Sequence, residues 1–217
     1  LYDDPVEAVR GADMVVLCGP VLALADQARA CRAGLKTGAV VTDVGSTKTF
    51  VAKDVSVALR GSGASFVGSH PLCGSEQQGI ESAHADLYDG ALVMVTPAGS
   101  ASERAAKRVG HFWKKVGARV LELGAREHDR ILARTSHLPH VVASLLAVTV
   151  GRNGDGEALA GFCGSGFADT SRVAEGSPTV WHDILRTNQA YLAGELRAYK
   201  KHTERLIKML DDGGFRS

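Results

Sequence analysis

The sequence predicts an α/β fold in two parts: a partial doubly wound parallel sheet over residues 1–123 and an all-helical domain over residues 124–217. Three observations carry that prediction. Short β-branched runs closed by Gly or Pro recur in the first half, amphipathic helical segments separate most of them, and beyond Gly124 the apolar spacing is helical.

The elements follow in order. "DMVVLCGPV" (13–21) is a continuous β-branched run ended by Gly and Pro, the pattern of a strand covered on both faces. "VLALADQARACRAGL" places apolar or small residues at helical spacing and stops at Gly34, and "GAVVTDVGS" (38–46) is a second strand of the first kind. "TKTFVAKDVSVALRGSG" is the next helix, "ASFVGSHP" and "GALVMVTPAG" are two more strands, "SERAAKRVGHFWKKVGA" is a charged helix, and "RVLEL" closes the sheet. The helical half comprises "AREHDRILARTSHLPHVVASLLAVTVG", a glycine-rich break through "GFCGSGFADTSR", and "SPTVWHDILRTNQAYLAGELRAYKKHTERLIKML".

Composition narrows the function. With 217 residues, 45% of them hydrophobic, the chain buries a real core, which argues against disorder. Its 25 basic and 24 acidic side chains leave a net charge of +1, so no global field favours nucleic acid or an anionic membrane, and an anionic partner requires a local arrangement. Cys18, Cys31, Cys73 and Cys163 lie far apart without a CxxC pair, against a zinc site or a disulfide framework, and a reducing cytoplasm is the expected location. The longest apolar run, around Val141 to Val150, is shorter than a membrane span, and the acidic opening "LYDDPVEAVRGAD" is unlike a signal peptide.

Open parallel sheets bind ligands beyond the carboxyl ends of their strands, where "CGPV" (18–21) and "DVGS" (43–46) fall. The Rossmann-like fingerprint, a strand leading into GxGxxG with an acidic residue about 20 residues on, does not precede them. "GFCGSG" (161–166) lies between helices with no strand before it. The expectation is a chain without its first βαβ unit, because a sheet lacking its central strand would leave apolar faces open. "GSHPLCGSEQQG" (68–79) sets His70 among glycines that let backbone approach closely, and an imidazole exchanges protons near neutral pH. The plain alternative is a histidine that caps a strand end.

In order and with comparable separations, "DVGSTK", "GSHPLCGSEQQG", "SHLPH" and "DTSRVAEGSPTVWHDIL" resemble the prephenate and arogenate dehydrogenases of tyrosine biosynthesis, over nearly the whole chain. The resemblance implies that His70 accepts the proton of the substrate's ring hydroxyl and that Ser46 hydrogen-bonds that hydroxyl. Chemistry independently asks for such a base, because hydride loss from a carbinol leaves a developing carbonyl. By the same resemblance Ser136 and His140 line the substrate pocket, Arg172 binds a substrate carboxylate, and Trp181 stands near the pocket. Gly19, Pro20, Val21 and Ser75 are implied to lie against NAD or NADP.

A small-molecule substrate, prephenate or arogenate, and a homodimer formed by the helical domain complete what the resemblance implies. Ser136 and His140 are four apart on one helical face, with His137 three before His140, but neither a third ligand nor HExxH accompanies them, so no metal is expected. Some relatives carry a lysine before the arginine where this chain has Ala168, which leaves prephenate against arogenate open. Two other readings stand: a 6-phosphogluconate-type dehydrogenase, disfavoured because "TSHLPHVV" lacks a lysine, and a ligand-sensing relative without the cofactor site.

Overall fold

The structure, a computed structural model, describes residues 1–74, 83–97, 103–154 and 156–213. Five strands, β1 (Met14–Leu17), β2 (Val40–Asp43), β3 (Ser65–Leu72), β4 (Leu92–Pro97) and β5 (Arg119–Glu122), form one sheet in the order β1-β2-β3-β4-β5 among the described residues. β1, β2 and β3 run parallel, as do β4 and β5, but β3 and β4 are antiparallel, with His70 opposite Met94. The parallel arrangement predicted from the sequence therefore stops at the β3–β4 seam. A parallel neighbour needs a crossover, usually a helix, whereas the described part of this connection, residues 83–91, contains no helix.

Alternation along the strands builds two cores. Val41 and Phe66 face α2 (Leu24–Cys31) and α3 (Thr49–Ala58), joining Leu24, Ala28, Val51 and Val55 in one apolar cluster. The adjacent residues Val40 and Val67 point the other way, packing with Val93, Val95 and the Ala105, Val109 and Trp113 stripe of α4 (Glu103–Lys115). All four residues of β2 are buried, as a strand covered on both faces requires. The acidic opening folds as a short helix, α1 (Pro5–Val9), where the Asp4 carboxylate accepts the Val6 N–H at 2.9 Å and Pro5 occupies the first turn. Gly34 lets this helix in close: a Cβ there would lie 2.1 Å from the Val6 carbonyl oxygen.

The chain forms two compact units, Leu1–Asp129 with Gly176–Thr187, and Arg130–Glu175 with the chain from Asn188 onward. In the first, α9 (Pro178–Thr187) is moored where Asp183 Oδ2 accepts the Leu22 N–H at 3.1 Å and Thr187 Oγ1 meets Thr47 Oγ1 at 2.8 Å. The helical run that opens with α5 (Ala125–Leu132) continues through a π-helical turn, Ala133–His137, into α6 (Leu138–Val150). Pro139 falls in the first turn of α6, where a missing N–H is tolerated, and the wider turn before it absorbs the irregularity; such turns recur at functional sites. α7 (Gly156–Ala160) and α8 (Ser165–Ser171) follow, the latter replacing part of the glycine-rich break expected from the sequence. The Thr170 and Ser171 hydroxyls bond back to the Gly166 and Phe167 carbonyls at 2.7 and 2.8 Å.

In the second unit α6 packs against α8 and a 3₁₀ turn, Arg172–Glu175. α10 (Gln189–Asp211) meets the π-helical turn, with Arg134 donating twice to Glu195 at 3.0 and 3.1 Å and Asn188 Nδ2 lying 3.0 Å from His137 Nδ1. The 26-residue run Ala125–Val150 is long and apolar enough, by length and composition, to cross a membrane. This corrects the sequence expectation that no such stretch exists: the apolar run is short, but one continuous helix carries it. Only 28% of its most apolar stretch is buried within the chain.

Candidate active site

The site begins with a buried polar knot at the carboxyl end of β2. Asp43 Oδ1 accepts the Ser69 N–H at 3.1 Å, Oδ2 accepts the Gly45 N–H at 2.9 Å, and Oδ2 also accepts from the Lys48 ammonium. Lys48 donates again to the Ser69 carbonyl at 2.7 Å, while the Ser69 hydroxyl donates to the Asp43 carbonyl at 2.7 Å. Trp113 Nε1–H reaches the Ser69 hydroxyl from α4 at 3.0 Å. Asp43 and Lys48 are fully buried. Burial pushes the Lys48 ammonium below its ordinary value, and the Asp43 and Asp129 carboxylates oppose that shift. Gly68 leaves room for the lysine stem: a Cβ there would lie 2.6 Å from Thr96 Oγ1 and 3.3 Å from Lys48 Cδ.

His70 follows Ser69 in β3 and is 8% exposed. Its Nδ1 lies 2.9 Å from His128 Nε2, and His128 Nδ1 lies 2.8 Å from Asp129 Oδ1. The same carboxylate accepts the Lys48 N–H on Oδ1 and the Thr49 N–H on Oδ2, each at 2.8 Å, at the start of α3. Burial holds the His128 imidazole below its ordinary pKa, against an opposing pull from Asp129. Burial alone would raise the Asp129 carboxyl, but the hydrogen bonds from His128, Lys48 and Thr49 keep it below the usual carboxylate value.

The first unit contains His70, Ser46, Gly19, Pro20, Val21 and Trp181. Ser46 is half-buried between Gly45 and the buried residues Thr47 and Lys48, so both flanks of its loop are anchored. Leu17 pairs with Asp43, which makes the ends of β1 and β2 level and sets the 18–21 and 44–46 loops at the same end of the sheet. Val21 is buried at the start of a 3₁₀ turn, Gly19 is half-buried and Pro20 exposed. Trp181 is half-buried in α9. Ser75, implied to lie against the cofactor, falls outside the described residues.

Ser136, His140 and Arg172 belong to the second unit. Ser136 is half-buried in the π-helical turn; His140 is buried in α6, and burial lowers its pKa. Arg172 is exposed at the head of the 3₁₀ turn that packs on α6. Sequence reasoning missed His128, Asp129, Lys48 and Asp43. The signal for the first two was present in "EHDR" (127–130), a titratable pair within a predicted helix, but the residue that faces them is 58 positions away.

An α/β sheet with nucleotide-type loops at its carboxyl end, joined to a helical unit, defines the class. Residues 2–122 match the prephenate dehydrogenase nucleotide-binding domain and residues 124–215 match the prephenate dehydrogenase dimerization domain. The chain belongs to the prephenate dehydrogenase family. A cyclohexadienyl dehydrogenase from Zymomonas mobilis is 35% identical over 188 residues, which cover 86% of this chain and 64% of that protein. A prephenate dehydrogenase from Bacillus subtilis is 32% identical over 86% of this chain and 51% of its own length. The chain thus spans between about half and two thirds of these relatives. The crystal structure of A. aeolicus prephenate dehydrogenase in complex with hydroxyphenyl propionate and NAD+ is 31% identical and superposes with a TM-score of 0.86, covering 93% of this chain and 70% of that one.

The depressed imidazoles have a consequence for stability. An unfolded histidine titrates near 6.5, whereas burial makes native His128 and His140 resist protonation. Below that pH the unfolded chain takes up protons that the native chain does not, so stability falls as pH falls. Urea midpoints recorded from pH 8 to pH 5 should decline, and His128→Gln should make the decline shallower by at most one proton's worth, about 1.4 kcal/mol per pH unit.

Proposed function

We propose that this chain carries most of the machinery of an NAD- or NADP-dependent oxidative decarboxylation of prephenate or arogenate, yielding 4-hydroxyphenylpyruvate or tyrosine. The observation that carries the reading is His70, buried beside the sheet end that carries the nucleotide-type loops, in a chain that matches both prephenate dehydrogenase domains. A nicotinamide held by the 18–21 and 43–46 loops would supply the acceptor for the hydride that leaves the ring carbinol carbon. His70 takes the hydroxyl proton, and Ser46 holds that hydroxyl against it. Two ring double bonds link the ketone so formed to the carbon bearing the carboxylate. Loss of CO₂ returns the electron pair to the ring as a phenolate, and His70 gives the proton back to the phenolate oxygen.

The cofactor fits the 18–21 and 43–46 loops, which lie level at the nucleotide-binding end of the sheet. Gly19 lies under the end of the Gln27 side chain, whose amide nitrogen would be 2.0 Å from a Cβ there. Arg172 suits a substrate carboxylate because guanidinium is planar, permanently charged and bidentate. His140 and Ser136 share its unit, and Trp181 closes the list of substrate contacts. The four free thiols suit a reducing cytoplasm.

We assign the exposed apolar faces of the helical unit to a homodimer. α10 buries only Leu192, while Leu206, Ile207 and Leu210 are at least half exposed, as are Leu145 and Val148 of α6. Isolated apolar residues are common on surfaces, but a stripe along helices that match a dimerization domain is better covered by a second copy than by water or lipid.

Three outcomes test this reading. His70→Asn in the full-length protein should lower kcat on prephenate or arogenate by about 10² to 10⁴ with KM nearly unchanged; an unaltered kcat removes His70 from the mechanism. Arg172→Lys keeps the charge but loses the planar fork, so KM should rise at least about tenfold, about 1.4 kcal/mol, with Tm almost constant. A fall in Tm without a change in KM makes Arg172 structural. Sedimentation at micromolar concentration should give a dimer, which Leu206→Glu with Leu210→Glu converts to a helical monomer; a wild-type monomer contradicts the assignment.

A further inference from the structure

We propose that His128 and Asp129 are positioning residues that fix the tautomer of His70, so that its Nδ1 carries the hydrogen and its Nε2 is the proton acceptor. The inference rests on the reading of His70 as the base and adds which atom acts and what sets it. It follows from donor and acceptor counting along one buried chain of contacts.

The carboxylate end fixes the polarity. Asp129 accepts two backbone N–H bonds, from Lys48 and Thr49 at 2.8 Å each, and these hold it as an anion that only accepts. His128 Nδ1, 2.8 Å from Asp129 Oδ1, must therefore carry a hydrogen. A neutral imidazole has one N–H, so His128 Nε2 is a bare acceptor. The 2.9 Å contact from that atom to His70 Nδ1 then requires a hydrogen on His70. With Nδ1 protonated, neutral His70 has its lone pair on Nε2.

The competing arrangement has a doubly protonated His128 donating to His70 Nδ1, which would put the hydrogen of neutral His70 on Nε2 and abolish it as a base. Two effects oppose it. His128 is fully buried, which disfavours its cation, and the Lys48 ammonium repels a second positive charge. The charged groups around His128 are Asp129 beside it in α5, Lys48 at the start of α3 and Asp43 at the end of β2; the two carboxylates pull the other way, and burial outweighs them. The arrangement works as the orienting carboxylate of a Ser-His-Asp site does, with one more imidazole between carboxylate and base. Once His70 has taken a proton at Nε2, its Nδ1–H still points at His128, and the Asp129 anion stabilises the new cation through that bond.

The test reads the tautomer directly and activity separately. In ¹⁵N-histidine NMR spectra of the purified protein above the titration of His70, we expect the Nδ1–H form; an Nε2–H form overturns the inference whatever the enzyme does. His128→Leu removes the acceptor, whereas His128→Gln offers an amide oxygen near the place of Nε2. We expect the leucine variant to lose at least about 10²-fold in kcat with KM within about threefold, to show mixed His70 tautomers and to move the acidic limb of the pH profile. Glutamine should restore at least about tenfold of that loss and the Nδ1–H form. Equal losses in both variants with an unchanged His70 tautomer would make His128 merely structural. If the leucine variant does not fold, the wild-type spectrum and the glutamine variant still decide. A wild-type protein with the Nδ1–H form but no turnover of prephenate or arogenate would sink the proposed reaction and leave the tautomer assignment standing.

Discussion

The buried pair of Asp43 and Lys48 is the constraint on which the site depends. Two charges without water are costly, and such a pair persists only when the remaining donors and acceptors are satisfied as well. Here they are satisfied by the backbone that has to be positioned. Asp43 takes the N–H groups of Gly45 and Ser69, and Lys48 takes the Ser69 carbonyl, so the pair fastens the loop after β2 to the strand that carries His70. Removing one partner would leave the other charged, buried and alone, at a cost of about 3 to 5 kcal/mol. An apolar pair of equal volume would remove that cost, but would also remove the hydrogen bonds that set Ser46 and His70 in relation to each other.

Asp129 ties a second tier to the first. It receives the backbone N–H of Lys48, the residue whose side chain holds Asp43, and so joins the α3 N-terminus to α5. Charge placement supports this: an anion beside the first N–H groups of a helix is favourable, and Asp129 is held below the ordinary carboxylate pKa. The chain of bonds runs from β2 through Lys48 to Asp129, then through His128 back to β3 at His70. Both ends of that loop fall on adjacent parallel strands. A shift of either strand would break contacts at both tiers, which is why an imidazole can be aimed at this end of the sheet.

Much of the fold was legible because periodicity reports burial. The run "VVTD" reads as a strand covered on both faces, and all four of its residues are buried. The antiparallel β3–β4 seam was not legible, because strand composition does not encode direction; only the connection does, and its chemistry-bearing stretch gives no regular period. The π-helical turn was hidden for a related reason, since "ARTSHLPH" has the apolar content of a plain helix and the extra residue per turn is a backbone event. Of the candidate residues, His70 and Ser46 in the first unit and Arg172 in the second came from ordered motifs that resemble one family. His128 and Asp129 did not, since a histidine and an aspartate in a charged helix have the same local pattern as a solvated face. Only the sheet, by bringing residue 70 to residue 128, distinguishes the two.

The helical unit raises the complementary problem of apolar surface left over. α10 has 23 residues and buries only Leu192, and the longest apolar helix run is 28% buried over its most apolar stretch. Such helices are stable in a domain only if their apolar side is covered, because helical propensity alone is marginal even at this length. The same composition would suit a membrane by length, so length does not decide. Arg134 pairs with Glu195 and a buried His137 meets Asn188 along the same helices, so these polar side chains are satisfied within the unit. Residues 124–215, which hold these helices, match a dimerization domain, so a second copy is the cover we propose for the apolar stripe. The covering of α6 and the placement of the side chains assigned to the substrate bear on one another, because His140 stands on α6, Ser136 in the turn that leads into it, and Arg172 on the 3₁₀ turn packed against it.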